Sequence, residues 1–258
     1  MEKLKQIMLS KMEGDMDYLA QKTVKMFQIV FLMLLLGGSL FFISCQNKEK
    51  NKQEENTNST QNINLPYYNT PDFTPIFLDN KAEIDLKIPH KISNFSFLNQ
   101  DSLLISEKVI EGKTHVANFI FTYCGSICPM MTENMKIVEE QFLDDENVVF
   151  LSFSVTPWID KPHVLKAYTE RKEIRNKNWH FLTGDKATIY DLARKSYFAE
   201  EDIGFTKDST EFLHTEHFIL VDQNKRIRGI YNGTLPLEMK QLAKDILALK
   251  EEDSKQTR

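Results

Sequence analysis

Cysteine is scarce in this chain: among 258 residues only Cys45, Cys124 and Cys128 occur. Three are too few for a disulfide-stapled scaffold and leave one over after any pairing, so their positions carry more than their number. Glycine and proline are sparse as well, nine and eight residues, which excludes collagen-like and low-complexity chains. A basic excess is also missing. Lys and Arg total 32 against 37 Asp and Glu, a net charge of -5, so no cationic surface is offered to nucleic acid. What the chain does have is 41% hydrophobic residues, enough for one ordinary globular domain.

The first sixty-odd residues contribute little to that domain. Lys22 and Lys25 precede MFQIVFLMLLLGGSLFFISC, residues 26–45, a charged n-region followed by an apolar h-region. The run is long enough for an uncleaved anchor helix. Its end, Ile43-Ser44-Cys45, instead resembles a bacterial lipobox, with Phe42 in place of the usual leucine, and predicts lipidation at Cys45. After Cys45 comes QNKEKNKQEENTNSTQN, which holds no apolar side chain and reads as a solvated spacer. The predicted organisation is an export segment over 1–45, a polar tether over 46–64, a Pro-punctuated extended segment over 65–90, the folded domain over 91–250 and a charged tail over 251–258. Either kind of tether places the domain outside the cytoplasm, where a close cysteine pair is oxidised or metal-bound more readily than inside.

Within the domain the hydrophobic period alternates between that of strands and that of helices. Ile92, Phe95 and Phe97 alternate before Asn99-Gln100-Asp101-Ser102, and LLIS follows, which predicts an N-terminal hairpin. THVANFIFTY, 114–123, and NVVFLSFSV, 147–155, read as central strands covered on both faces. Between them Met131, Met135, Val138 and Phe142 recur at helical spacing, giving a helix over 127–143 and a βαβ unit. A helix over 161–175, a short strand at WHFLTG, and a helix opened by Asp185 with Ile189, Leu192, Ala193 and Tyr197 on one face come next. HFILVD and KRIRGIYNG, joined by Asp222-Gln223-Asn224, form a hairpin. Thr234 is expected to cap a last helix with Leu235, Met239, Leu242, Ile246 and Leu249 on its stripe. The element order is that of an α/β, thioredoxin-like fold with an extra N-terminal β-hairpin and an inserted helix. Lys225, Arg226 and Arg228 read as a solvated hairpin rather than a partner patch.

Cys124-Gly125-Ser126-Ile127-Cys128-Pro129 sits where a buried strand hands over to a helix. Cysteines four apart on a helix emerge on one face. At a helix N-terminus the dipole and the unpaired N–H groups stabilise thiolate, raising nucleophilicity and metal affinity. Two thiolates alone suit Cu(I), a disulfide or half of a zinc site. No other cysteine remains in the domain to complete a four-cysteine zinc site. His90, His115, His163 and His180 read as ordinary surface or edge residues. His214 and His217 precede the strand that neighbours the active turn in a thioredoxin-like sheet, and one of them is within reach of the cysteines. Met131 and Met135 read as core, Met130 as a weak thioether candidate. Trp158 and Asp160 are candidates to face a partner.

FTYCGSICP, SVTPWIDKPHVLKAY, WHFLTGD and HTEHFILVDQNKRIRGIYNG together resemble the Sco/SenC family of copper-binding, cytochrome oxidase assembly proteins, over residues 89–249. The resemblance implies Cys124, Cys128 and His214 as copper ligands. His217 falls on the other face if the strand has begun there, because an odd offset reverses the face. It implies a metallochaperone, rather than an enzyme, that binds a copper ion as Cu(I), or as Cu(II) with an added oxygen ligand. Its partner would be the copper-containing subunit of cytochrome c oxidase, with a second copper chaperone or a thiol reductase as further partners. The alternative is a thiol-disulfide reductase, with Cys124 and Cys128 as its redox pair, that keeps the oxidase cysteines reduced. Either activity is expected at the periplasmic face of a bacterial membrane, on a lipid anchor. The loop after the second strand departs from the family's pattern: Thr156-Pro157-Trp158-Ile159-Asp160 keeps only the proline and the last aspartate.

Overall fold

Two runs of seven consecutively buried residues, THVANFI and VVFLSFS, form the centre of the sheet: β5 (Thr114–Ile120) and β6 (Val148–Ser154) lie parallel from Thr114↔Val148 to Ile120↔Ser154. Only a strand covered on both faces is apolar without alternation. A computed structural model describes residues 64–199 and 215–256. The export segment with Cys45, the tether as far as residue 63, and His214 lie outside the described residues. Among the described residues no helix is long and apolar enough to cross a membrane.

The remaining strands are β1 (Tyr67–Tyr68), β2 (Pro75–Ile76), β3 (Ser96–Asn99), β4 (Leu104–Ser106), β7 (Trp179–Thr183), β8 (His217–Val221) and β9 (Ile227–Asn232). The helices are α1 (Lys81–Lys87), α2 (Ile127–Glu139), α3 (Pro162–Arg171), α4 (Lys186–Lys195) and α5 (Pro236–Gln256). All nine strands join one sheet in the order β2-β1-β9-β8-β5-β6-β7-β3-β4. The fold is α/β and thioredoxin-like. Its core is β9-β8-β5-β6, with α2 joining β5 to the parallel β6 and an antiparallel β8–β9 hairpin beyond. The β3–β4 hairpin is the N-terminal addition and pairs on β7; α3 is the inserted helix between β6 and β7.

Parity along the strands sorts the core into two layers. Val116, Ile120, Val148, Phe150, Phe218 and Leu220 face a cluster with Met131 and Met135 of α2, Leu165 of α3, and Met239, Leu242, Ile246 and Leu249 of α5. Ala117, Phe119, Val149, Leu151, Phe153, Ile219 and Val221 face α4, Phe95 and Phe97. Polar atoms on the first face are paired across three strands: Ser152 Oγ donates to Asn118 Oδ1 at 2.6 Å, and Trp179 Nε1 donates to Ser152 Oγ at 2.9 Å. A satisfied ladder of this kind is tolerated in an apolar layer.

Element ends are where the sequence expectation needs correction. Asp185 caps α4 as expected, its Oδ1 accepting from Thr188 N at 2.9 Å. Thr234 does not cap α5. Asn232 Oδ1 accepts from both Thr234 N and Thr234 Oγ1, the first i+4 bond runs from Met239 N to Leu235 O, and Pro236 opens the helix, a position where proline forfeits no bond. Leu235 is consequently exposed and off the stripe, whereas Met239, Leu242, Ile246 and Leu249 are buried. Residues 65–90, expected to be extended, contain α1. Asn80 Oδ1 caps it by accepting from Ala82 N and Glu83 N, and Ile84 docks with Ile88 on Tyr67.

Two side-chain expectations are overturned by burial. His115, read as an edge residue, is fully buried, with Nε2 3.1 Å from Tyr197 Oη; desolvation, aided by the charge of Lys225, holds its pKa down to about 3 and the ring neutral. Arg226 and Arg228, read as solvated, are also buried. Arg226 Nη2 pairs with Asp85 Oδ1 at 2.6 Å, while Arg228 meets Asp222 and Glu252. This cluster sits at the end of the sheet remote from the cysteine turn, because β8 runs antiparallel to β5 with His115 opposite Val221.

Asp253 borders the same cluster. Burial, together with the charges of Asp222 and Glu252, raises its pKa from 3.8 to about 6. An acid whose pKa is higher in the folded state binds its proton more tightly there. Its contribution to stability is therefore present below about pH 3.8 and lost as pH rises through about 6. Asp253→Asn is accordingly expected to gain stability over the parent as pH climbs through that window. Because the side chain is only half-buried, solvent screening limits the gain to about 1 kcal/mol. Urea denaturation at either side of the window checks it, and a difference that does not grow with pH would contradict the assignment.

Candidate metal centre

The centre is built on the carboxyl end of β5, the end at which α/β sheets place ligands. The strand stops at Ile120, three residues earlier than its apolar run suggests, because Phe121, Thr122 and Tyr123 are spent on a turn in which Cys124 N donates to Phe121 O at 3.1 Å. Helix α2 then opens at Ile127. Cys124 thus lies ahead of the helix and only Cys128 lies on it, which corrects the expectation of two helical cysteines four apart.

This arrangement gives the helix an unusual cap. Ser126 stands at the cap position but makes no side-chain hydrogen bond. The backbone N–H groups of Cys128, Ser126 and Ile127 lie close enough to the Cys124 sulfur to favour its charged form instead. Partial burial pushes the Cys124 thiol up, but those amides and the thiol of Cys128 outweigh it, and the net shift is downward. Cys128 behaves in the opposite way. It is buried, and desolvation, with the neighbouring Cys124 adding to it, pushes its thiol up to about 12 against a backbone hydrogen bond from Phe121. One sulfur is partly exposed, the other sheltered; both are free thiols. Iodoacetamide at neutral pH is therefore expected to alkylate Cys124 well before Cys128, since thiolate is the nucleophile. Peptide mapping of the reduced chain after a short pulse reads the order, and equal labelling would contradict it.

Neighbouring side chains fix both cysteines. Thr132 Oγ1 donates to Cys128 O at 3.1 Å and, its single proton spent, accepts from Tyr168 Oη at 2.7 Å. Asn134 Nδ2 donates to Gly233 O at 2.9 Å, and Gly233 N donates to Glu216 O at 2.7 Å, which ties α2 to the start of β8. A Cβ on Gly233 would meet Phe218 at 2.1 Å, so only glycine allows this approach. Asp160, a candidate for partner contact, is fully buried instead and accepts from Thr122, Ser154 and Thr156. Trp158, in the same loop, is exposed with Lys186 Nζ 5.1 Å above its ring. Tyr123 and Met130 are exposed beside the cysteines.

Among the described residues the two cysteines are not joined by a third ligating side chain, and no group of three His, Cys, Asp or Glu gathers. His217 opens β8 opposite Asn232, and its ring packs edge-on to Phe73 at 6.1 Å. Phe73 belongs to the layer of α4, not to that of α2, so His217 faces away from the cysteine helix; β8 begins only at His217, so strand parity does not relate it to His214. His214 lies outside the described residues.

The chain has relatives of known type. A family model described as SCO1/SenC matches residues 85–251. The SCO1 protein homolog of Bacillus subtilis (strain 168) is 33% identical over 146 residues, which cover 56% of this chain and 75% of that protein. A SCO1/SenC family lipoprotein from Bacillus anthracis str. Ames shares 32% identity with a TM-score of 0.53, over 62% of this chain and 95% of its own. BsSco, described as a member of the Sco family of cytochrome c oxidase assembly proteins and as carrying a disulfide switch, shares 30% identity with a TM-score of 0.53, over 62% and 93%.

Proposed function

The chain belongs to the SCO1/SenC family, and on that premise we propose that it is a copper chaperone. It takes up copper through Cys124, Cys128 and His214 and delivers it to the binuclear copper centre of a respiratory cytochrome oxidase. The observation that carries the reading is the unequal cysteine pair at the mouth of α2: Cys124 partly exposed with its thiol pKa lowered, Cys128 buried with its thiol pKa raised, both reduced. Two soft thiolates and a neutral imidazole make a trigonal set suited to Cu(I). Such a set leaves an open side through which a recipient's cysteines enter and displace the ligands one at a time. Copper is cargo here, so moderate enclosure serves better than a closed tetrahedral cage. Cys45, lipidated, would hold the domain at the periplasmic face of the membrane, with residues 46–64 as the leash.

The same pair supports a second reading, a thiol-disulfide reductase acting on the oxidase subunit's cysteines, which the asymmetry of the two thiols favours. The relative BsSco is itself described with a disulfide switch. Against it, residues 212–217 contain no proline, where thioredoxins carry the cis-proline that holds disulfide substrates. The test loads the reduced full chain, held in detergent, with one equivalent of Cu(I) and mixes it with the metal-free copper subunit of an oxidase. Copper appearing in the subunit at stoichiometric yield supports the chaperone. Oxidation of Cys124 and Cys128 with reduction of a subunit disulfide, and no metal moved, would replace it with the reductase.

A further inference from the structure

A fully buried carboxyl group one loop away from the cysteines is unaccounted for by ligand chemistry. Asp160 closes a tight turn after β6, with Ile159 N and Asp160 N both donating to Thr156 O at 2.8 and 2.9 Å. Its Oδ2 accepts from Ser154 Oγ at 2.6 Å, at the end of β6, and from Thr156 Oγ1 at 2.9 Å, in its own loop. Its remaining bonds reach another segment. Thr122 Oγ1 donates to Oδ1 and Thr122 N to Oδ2, the latter at 3.4 Å. Among the described residues no cation pairs with it. Thr122 is two residues before Cys124 in the turn that aims the Cys124 sulfur at the amides of α2. A buried group that cannot be solvated and that bonds to two chain segments ties the one to the other.

We propose that Asp160 is a positioning residue for the cysteine pair, acting through Thr122 to pin the turn in the geometry of two free thiols and so to resist closure of the disulfide. Joining the sulfurs brings them to about 2.05 Å, and whatever part of that approach the backbone carries moves Cys124 and its turn. With Thr122 tethered, that movement strains or breaks the bonds to Asp160. Released, the turn follows the sulfur. Oxidation by glutathione disulfide proceeds by attack of the Cys124 thiolate on one glutathione sulfur, releasing one glutathione thiolate. The Cys128 thiolate then attacks Cys124 Sγ in the mixed disulfide, releasing the second; two protons leave the protein and two electrons pass to glutathione.

This inference deepens the function proposed above and concerns the same cysteines, but its readout needs no copper. The full chain is equilibrated in glutathione buffers and the dithiol and disulfide fractions are counted by thiol labelling. Asp160→Asn is expected to shift the equilibrium constant toward the disulfide on the order of tenfold, the effect of about one charged-group hydrogen bond. Thr122→Val, which removes the hydroxyl bond and leaves the loop's own bonds, shifts it the same way, and Thr122→Ser restores it. Ser154→Ala touches Asp160 but not the cysteine segment, and leaves the constant unchanged while lowering the melting temperature. An unchanged constant in both Asp160→Asn and Thr122→Val, or an equal shift in Ser154→Ala, overturns the proposal. If Asp160→Asn does not fold, Thr122→Val decides alone. Failure of the parent to bind Cu(I) would remove the chaperone reading and leave this result standing.

Discussion

Replacing His214 with alanine is expected to lower the Cu(I) affinity of the reduced chain by more than about 100-fold, beyond the roughly 10- to 100-fold that loss of a hydrogen-bond partner of a metal ligand costs. Two thiolates remain in the variant, so some copper still binds, but in a two-coordinate site that a competing chelator strips. His217→Ala is the matched control. Three residues on, His217 lies in β8 against Phe73, in the layer opposite the cysteine helix, and its loss should leave copper affinity unchanged. Anaerobic competition between the chain and a Cu(I) chelator measures both. Retention of affinity in His214→Ala would make copper a bystander to two thiols and shift attention to disulfide reduction. Loss in His217→Ala alone would exchange the two histidines and require the β8 hairpin to reorganise on metal binding.

The second large effect lies at the far end of the sheet, where Arg228 has all five of its N–H donors engaged. Nη1 reaches Asp222 Oδ2 at 3.4 Å and Glu252 Oε1 at 3.1 Å; Nη2 reaches Glu252 Oε2 at 2.9 Å and Leu65 O at 2.8 Å; Nε reaches Pro66 O at 3.1 Å. The guanidinium also sits 3.9 Å from the Tyr67 ring centroid. Arg228→Met keeps most of the volume and removes the charge. It leaves Asp222, with 4% side-chain exposure, a buried acid without its ion-pair partner, held among the described residues only by the N–H groups of Asn224 and Arg226, and orphans the carbonyls of Leu65 and Pro66. Removing one partner of such a pair costs about 3–5 kcal/mol, or roughly 6–20 °C in melting temperature for a domain of this size. The loss should shrink in acid. Burial already holds the Asp222 carboxyl above its ordinary pKa despite Arg226 and Arg228 nearby, so it protonates readily once the arginine is gone. Thermal melts across the acidic range check both statements, and a loss under about 1 kcal/mol at neutral pH would show that water replaces the guanidinium. No change in the cysteine chemistry is expected, because the cluster and the thiols occupy opposite ends of β5.

The sequence by itself determined whatever depends on period and on neighbours close in the chain. The continuous apolar runs of β5 and β6, the helical spacing of Met131, Met135 and Val138, the Asp185 cap and the hairpin around Asp222 all follow from local chemistry and appear where that chemistry puts them. The cysteine turn was legible in part: a buried strand handing over to a helix marked Cys124 and Cys128, but the six residues 121–126 between β5 and α2, which leave Cys124 ahead of the helix, were not. Tertiary structure decided what depends on distant partners. KRIRG looks solvated because its acids are elsewhere: Asp85 lies 141 residues from Arg226, and the carbonyl of Leu65 lies 163 residues from Arg228. Asp160 looks like a loop charge until Thr122, 38 residues earlier, is seen bonded to it. His115 gives no sign in sequence of the Tyr197 hydroxyl, 82 residues on, that receives it. A polar side chain is buried only if the fold delivers its partners, and which partners arrive is fixed by the register of the sheet, not by the pattern around the residue.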